Sequence, residues 1–125
     1  MANSKLKPKR AVYRPQKVAI ATDSGENIDA CFGRTESFLI YSLTQKGESF
    51  KYEFSEKRSG PKPCRNKSHD QDLLESTAEI LKDCGMVLAG RIGPAAVKAL
   101  SDRGVMGLSA PLTIEAALNK LARNG

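Results

Sequence analysis

The second half of this chain alternates short apolar runs with helix-like stretches, and that alternation leaves few folds open. Met86-Val87-Leu88-Ala89 is a continuous apolar run of strand length. Gly93-Pro94 then opens a helix through Leu100, with the proline suited to a first turn whose N–H groups lack intrahelical partners. Gly104-Val105-Met106-Gly107 reads as a third short strand of this type. Thr113 to Ala122 reads as a helix that turns Ile114, Ala117, Leu118 and Leu121 inward. Strands separated by helices pair in parallel through right-handed crossovers, so such a sheet is buried on both faces.

The first half supplies the rest of the sheet. Val18-Ala19-Ile20-Ala21 is an uninterrupted apolar run stopped by Thr22-Asp23-Ser24-Gly25, the pattern of a central strand. Phe38-Leu39-Ile40-Tyr41 and Ser49 to Phe54 flank Lys46-Gly47, and Phe50, Tyr52 and Phe54 alternate onto one face, which predicts an antiparallel hairpin packed on one side. Ser55 to Lys67 is polar and contains Gly60, Pro61 and Pro63, so it reads as a loop. Ser68 opens a helix with a capping-box partner at Gln71. Leu73, Thr77, Ile80, Leu81 and Cys84 share one face of that helix, and Gly85 closes it. The order strand, hairpin, helix, strand, helix, strand, helix predicts a three-layer α/β/α sandwich around a mixed sheet of about five strands.

A chain of 125 residues with 40% hydrophobic content suits one domain with a modest core. The net charge of +6 is unevenly placed, because Lys5, Lys7, Lys9, Arg10, Arg14 and Lys17 all precede any acidic residue. The sequence therefore divides into a flexible basic N-terminal arm, residues 1–16, and a nearly balanced body, residues 17–125. The three cysteines, an odd number, argue against a disulfide framework and suit a reducing compartment. No apolar run approaches the roughly 20 residues of a membrane helix, and no apolar stretch follows the early basic residues as in a secretory signal. A cytoplasmic protein is the expectation.

Ligands of such sheets sit beyond the carboxyl ends of the parallel strands. Three loops should meet there: Thr22 to Arg34, Gly90 to Pro94 and Gly107 to Pro111. Cys31-Phe32-Gly33-Arg34 stands out in the first, because it combines a soft sulfur ligand, a glycine that lets backbone approach, and a fixed positive charge. Arg91 and the free N–H groups of the helix start at Gly93 add further anion-binding capacity. Read alone, Cys31 is either a small buried hydrophobe or a ligand. Cys84, on its helix's apolar stripe, reads as core. Cys64 has no packing reason in its polar loop, and His69 could reach back to it, but a single Cys–His pair cannot fill a tetrahedral metal site. Asp23, Asp29 and Glu36 are ordinary turn-forming carboxylates. With no glycine-rich phosphate loop, serine elbow or histidine-bearing metal helix, the chain is not expected to be an enzyme.

Taken together, Val18-Ala19-Ile20-Ala21-Thr22, Cys31-Phe32-Gly33-Arg34, Phe38-Leu39-Ile40-Tyr41, Leu81-Lys82-Asp83-Cys84, Val87 to Gly93 and Gly104-Val105 resemble the dinitrogenase iron-molybdenum cofactor biosynthesis domains, of the NifX, NafY and NifB C-terminal type. The resemblance covers roughly Lys17 to Leu121. It implies a ribonuclease-H-like fold and a small non-catalytic carrier that transiently binds an iron-sulfur or iron-molybdenum type cluster. Cys31, Gly33, Arg34, Arg91 and Gly93 would contact the cluster, with Cys31, Cys64 and His69 as metal ligands. Relatives typically carry histidine where this chain has Cys31, and a thiolate can also ligate iron. The implied partners are cluster donor and acceptor proteins, not nucleic acid or membrane, for a monomer or weak homodimer. The competing readings are a nucleic-acid-associated module using the basic arm, and a regulatory module that binds only protein.

Overall fold

Side chains alternating between two buried faces along one central strand organise the molecule from its middle outward. The computed structural model of the chain describes residues 14–35, 37–59 and 70–123, the side chains of residues 70–72 excepted. Strand β1 (Lys17–Ala21) turns Val18 and Ile20 to one face and Ala19 and Ala21 to the other, and all four are fully buried. It pairs antiparallel with β2 (Ser37–Lys46), which turns back through Gly47 into β3 (Ser49–Ser59). On its other side β1 pairs in parallel with β4 (Met86–Ala89), and β4 pairs in parallel with β5 (Met106–Ser109). The resulting five-stranded mixed sheet has the order β3-β2-β1-β4-β5.

Helices α1 (Asp70–Ile80) and α2 (Pro94–Ser101) cover one face. They pack Ala78, Ala96, Ala99 and Leu100 against Ala19, Ala21, Ile40 and Val87. Helix α3 (Ile114–Arg123) covers the other face, where Ile114, Ala117, Leu118 and Ala122 meet Val18, Ile20, Met86 and Leu88. The three-layer α/β/α sandwich that the sequence predicts is the observed architecture. Among the described residues no helix is long and apolar enough to cross a membrane.

Several boundaries differ from the sequence reading for physical reasons. The hairpin is longer on both arms, and β3 continues to Ser59 through residues expected in a loop. It is an edge strand, so its charged half needs no apolar alternation. Tyr41 stands opposite Phe54 and Ile40 opposite Glu56, which leaves Ser55 as a bulge. Phe50, Tyr52 and Phe54 share a face, yet only Tyr52 is buried; Phe54, at 58% exposure, lies at the sheet edge with its ring edge-on to Tyr41. The helix expected to run to Gly85 stops at Ile80, and Leu81–Asp83 form a tighter turn in which the Cys84 N–H donates to the Leu81 carbonyl. Ser68 and its capping box lie outside the described residues. Arg14 to Gln16, placed in the arm by the sequence reading, contact the body. Pro15 is buried, its carbonyl accepts a 2.7 Å bond from the Tyr52 hydroxyl, and the Arg14 guanidinium lies 4.1 Å over the Phe50 ring.

Candidate functional site

The site begins with the way residues 26–32 lie across the ends of the parallel strands. Four backbone bonds fix them: Gly90 N–H to Ala30 O at 2.9 Å, Phe32 N–H to Arg91 O at 2.9 Å, Ile28 N–H to Leu112 O at 2.8 Å, and Ile114 N–H to Glu26 O at 2.8 Å. The segment is extended, so its side chains alternate. Ile28, Ala30 and Phe32 are buried, while Asp29 faces solvent and Cys31 is half-exposed. That alternation sets Cys31 apart from the core that its neighbours fill and leaves it in the lining of a cleft. Phe32 anchors the segment against Phe38, with ring centroids 5.6 Å apart.

Beyond the carboxyl ends of β1, β4 and β5 a cleft of about 740 Å³ opens. Its walls come from Asn27 to Cys31 with Arg34, then Gly90 and Arg91, then Pro111 to Thr113; of the third loop as expected, Gly107 to Pro111, only Pro111 lines the cleft, because β5 runs on to Ser109. Cys31 and Arg91 stand side by side as a parallel bridge. The Cys31 carbonyl accepts 3.0 Å bonds from the Arg34 and Thr35 N–H groups, so the chain turns sharply and returns Arg34 to the cleft. Both guanidinium groups are on exposed residues, and no ion pair occupies either among the described residues. The cleft thus sets a half-exposed thiol between two arginines that form no ion pair among the described residues, with the Asp29 carboxylate also in its lining. Gly33 sits in the exposed turn and Gly93 caps α2, and neither lines the cleft. Cys64 and His69 lie outside the described residues.

Two residues that the sequence reading did not assign to the site shape it. A Cβ on Gly90 would fall 2.9 Å from the Ile28 carbonyl oxygen and 3.1 Å from the Asp29 backbone, so only glycine lets β4 pass this close beneath the loop. Asp29 Oδ1 accepts from the Asp23 N–H at 2.8 Å and holds the preceding turn closed. That backbone bond, foremost, keeps the Asp29 carboxyl below the usual carboxylate range. Ser24 Oγ accepts from the Asn27 N–H at 2.9 Å, and Thr22 Oγ1 from the Gly25 N–H at 2.8 Å, completing the turn. A glycine directly after a buried strand is a signal that could have exposed Gly90; Pro111, Leu112 and Thr113 carry none. Cys84 is core, as expected: it is 2% exposed, and burial pushes its thiol up to about 11.

Comparison with known proteins identifies the family. The pattern of the family described as dinitrogenase iron-molybdenum cofactor matches residues 15–124. This chain belongs to that family. Protein NifY of Azotobacter vinelandii is 37% identical over 83 residues, or 66% of this chain. The match spans 31% of that relative's length, so most of NifY has no counterpart here. Among solved structures, the crystal structure of PH0822 superposes with a TM-score of 0.61 at 21% identity, covering 86% of this chain and 90% of that one. That likeness bears on the fold of this family member. Arg34 and Arg91, like Cys31, fall inside the matched span.

Proposed function

We propose that the chain is a carrier, not a catalyst, whose cargo is an anionic metal–sulfur cluster of the iron-sulfur or iron-molybdenum type. The observation that carries the reading is the convergence of one half-exposed thiol with Arg34 and Arg91 in a single cleft. Family membership and the relationship to NifY point the same way. Among the described residues no three His, Cys, Asp or Glu side chains gather as they would around a bare metal ion. A preformed cluster has less to ask of the protein, since it brings its own sulfides; one thiolate can ligate an exposed iron while guanidinium groups offset the negative charge. A cleft open to solvent also suits cargo that must leave again, passing from a donor protein to an acceptor.

Among the described residues, ion pairing weighs against the nucleic-acid reading. Lys17, Lys51, Arg58, Lys82, Lys98 and Arg103 each pair with a carboxylate. Those pairs offset part of the positive charge that the described body could offer a phosphate backbone.

The test is anaerobic reconstitution with iron and sulfide, or with isolated cofactor, followed by desalting and metal analysis. The parent protein is expected to retain a coloured cluster, and Cys31→Ala to lose most of it. Cys31→His should restore retention, because imidazole can replace the thiolate as the iron ligand. Replacing both arginines, Arg34→Gln with Arg91→Gln, should weaken retention and flatten its dependence on salt. A colourless parent, or retention indifferent to residue 31, would overturn the reading.

A further inference from the structure

The two edges of the sheet are built differently. Strand β3 protects its edge with a bulge and with Lys51, Glu53, Glu56, Lys57 and Arg58. Strand β5 has no such protection. Met106, Gly107, Leu108 and Ser109 contain no charge, no proline and no bulge, and the whole run from Gly104 to Thr113 lacks an ionisable side chain. Met106 and Leu108 lie opposite Met86 and Leu88 on the α3 face of the sheet. Met86 and Leu88 are buried beneath α3, but Met106 is 46% and Leu108 41% exposed. Nearly all the large exposed hydrophobic surface of the described chain gathers here, with Leu112 at 43% beside them and only Phe54 elsewhere.

The backbone is also open in a defined register. The Met106 N–H donates inward to Gly85 O at 3.1 Å, and the Ala110 N–H to Ala89 O at 2.8 Å. In a parallel ladder the residues between turn their N–H and C=O outward, so Gly107 and Ser109 present theirs at the free edge.

We infer that this edge is where a second copy of the chain docks, antiparallel, about a two-fold axis through Leu108. In that register Gly107 of each copy exchanges both backbone bonds with Ser109 of the other. Leu108 then meets its own equivalent, and Met106 meets Ala110. Every outward backbone group of β5 and its two half-exposed apolar side chains are satisfied at once. A second copy fits better than a charged partner because the seam is neutral from Gly104 to Thr113. Elsewhere the net charge of +6 sets two copies against each other. A four-residue strand makes a small interface, so the dimer is weak and depends on concentration.

Analytical ultracentrifugation of the full chain up to near-millimolar concentration tests this. A reversible monomer–dimer equilibrium is expected, and Leu108→Lys should weaken it by about tenfold or more by placing like charges face to face. Leu108 is half-exposed, so the variant should keep the parent's melting temperature. The register has its own test in mild oxidation followed by peptide mass spectrometry. Leu108→Cys should form a 108–108 disulfide, since directly opposed residues that share no hydrogen bond stand about 4.5 Å apart at Cα. Met106→Cys should form no 106–106 link. A chain monomeric at every concentration, a dimer untouched by Leu108→Lys, or a 106–106 link in place of 108–108 would each overturn the inference.

Discussion

Side chains at adjacent positions of the 26–32 segment have opposite duties, and the division is set by backbone geometry. Ala30 and Phe32 hold the segment in the core, so Cys31 is free to face the cleft. In Cys84 the same chemical group is kept neutral by burial, and its thiol is a packing element. The two cysteines were distinguishable in sequence only because one sat on a helical apolar stripe and the other between a strand and an arginine. Gly90 is the residue on which the floor of the cleft most depends. Gly90→Ala is expected to destabilise the protein by about 1–3 kcal/mol, because the new methyl meets backbone that cannot rotate away. Gly33→Ala, where a Cβ would touch nothing within 4 Å, should be close to neutral. Urea denaturation midpoints of the two variants measure the contrast.

At the level of elements, the bulge at Ser55 decides which side of the sheet the end of β3 serves. Without the extra residue Lys57 would take the place opposite Phe38, and Arg58 would face α3. With it, Arg58 reaches the carboxyl end of α1, where it donates to the Ile80 carbonyl at 2.9 Å and grips both Asp83 oxygens at 2.7 and 3.0 Å. Lys17 at the start of β1 adds a 3.3 Å contact to the same carboxylate. Asp83 is therefore held well below the usual carboxylate range, first by the Arg58 bonds. Because its folded pKa is depressed, the stabilisation is fully present above the ordinary value of 3.8 and is lost as pH falls toward the folded one. Asp83→Asn should lower the urea midpoint at pH 6, and the gap from the parent should close on acidification from about pH 5 to pH 2. A constant gap across that range would assign the effect to packing alone. None of this was legible in the sequence, since Arg58 and Asp83 lie far apart along the chain and the charged end of an edge strand reads as loop.

Over the whole molecule, the strand and helix order, the mixed sheet and the meeting of three loops at one end were readable, because each rests on local periodicity and on the handedness of crossovers. The shape of the cleft was less so: it depends on the close approach at Gly90 and on a self-bonded turn at Asp29, which are properties of the assembled backbone. The same architecture sends both described chain ends away from the cleft. Arg14 enters where its Nε donates to the Ala122 carbonyl at 3.0 Å, near the carboxyl end of α3, while the amino end of α3 borders the cleft at Thr113. Ten helical residues, about 15 Å of rise, separate the two regions. The chain thus enters the described body at Arg14 and leaves it at Arg123 on the side remote from the opening. A bulky fluorescent protein fused to either terminus is expected to leave cluster retention unchanged, as measured by iron content after desalting. The fold can then serve as a transplantable cartridge, spliced into a longer protein at either end while its mouth stays clear.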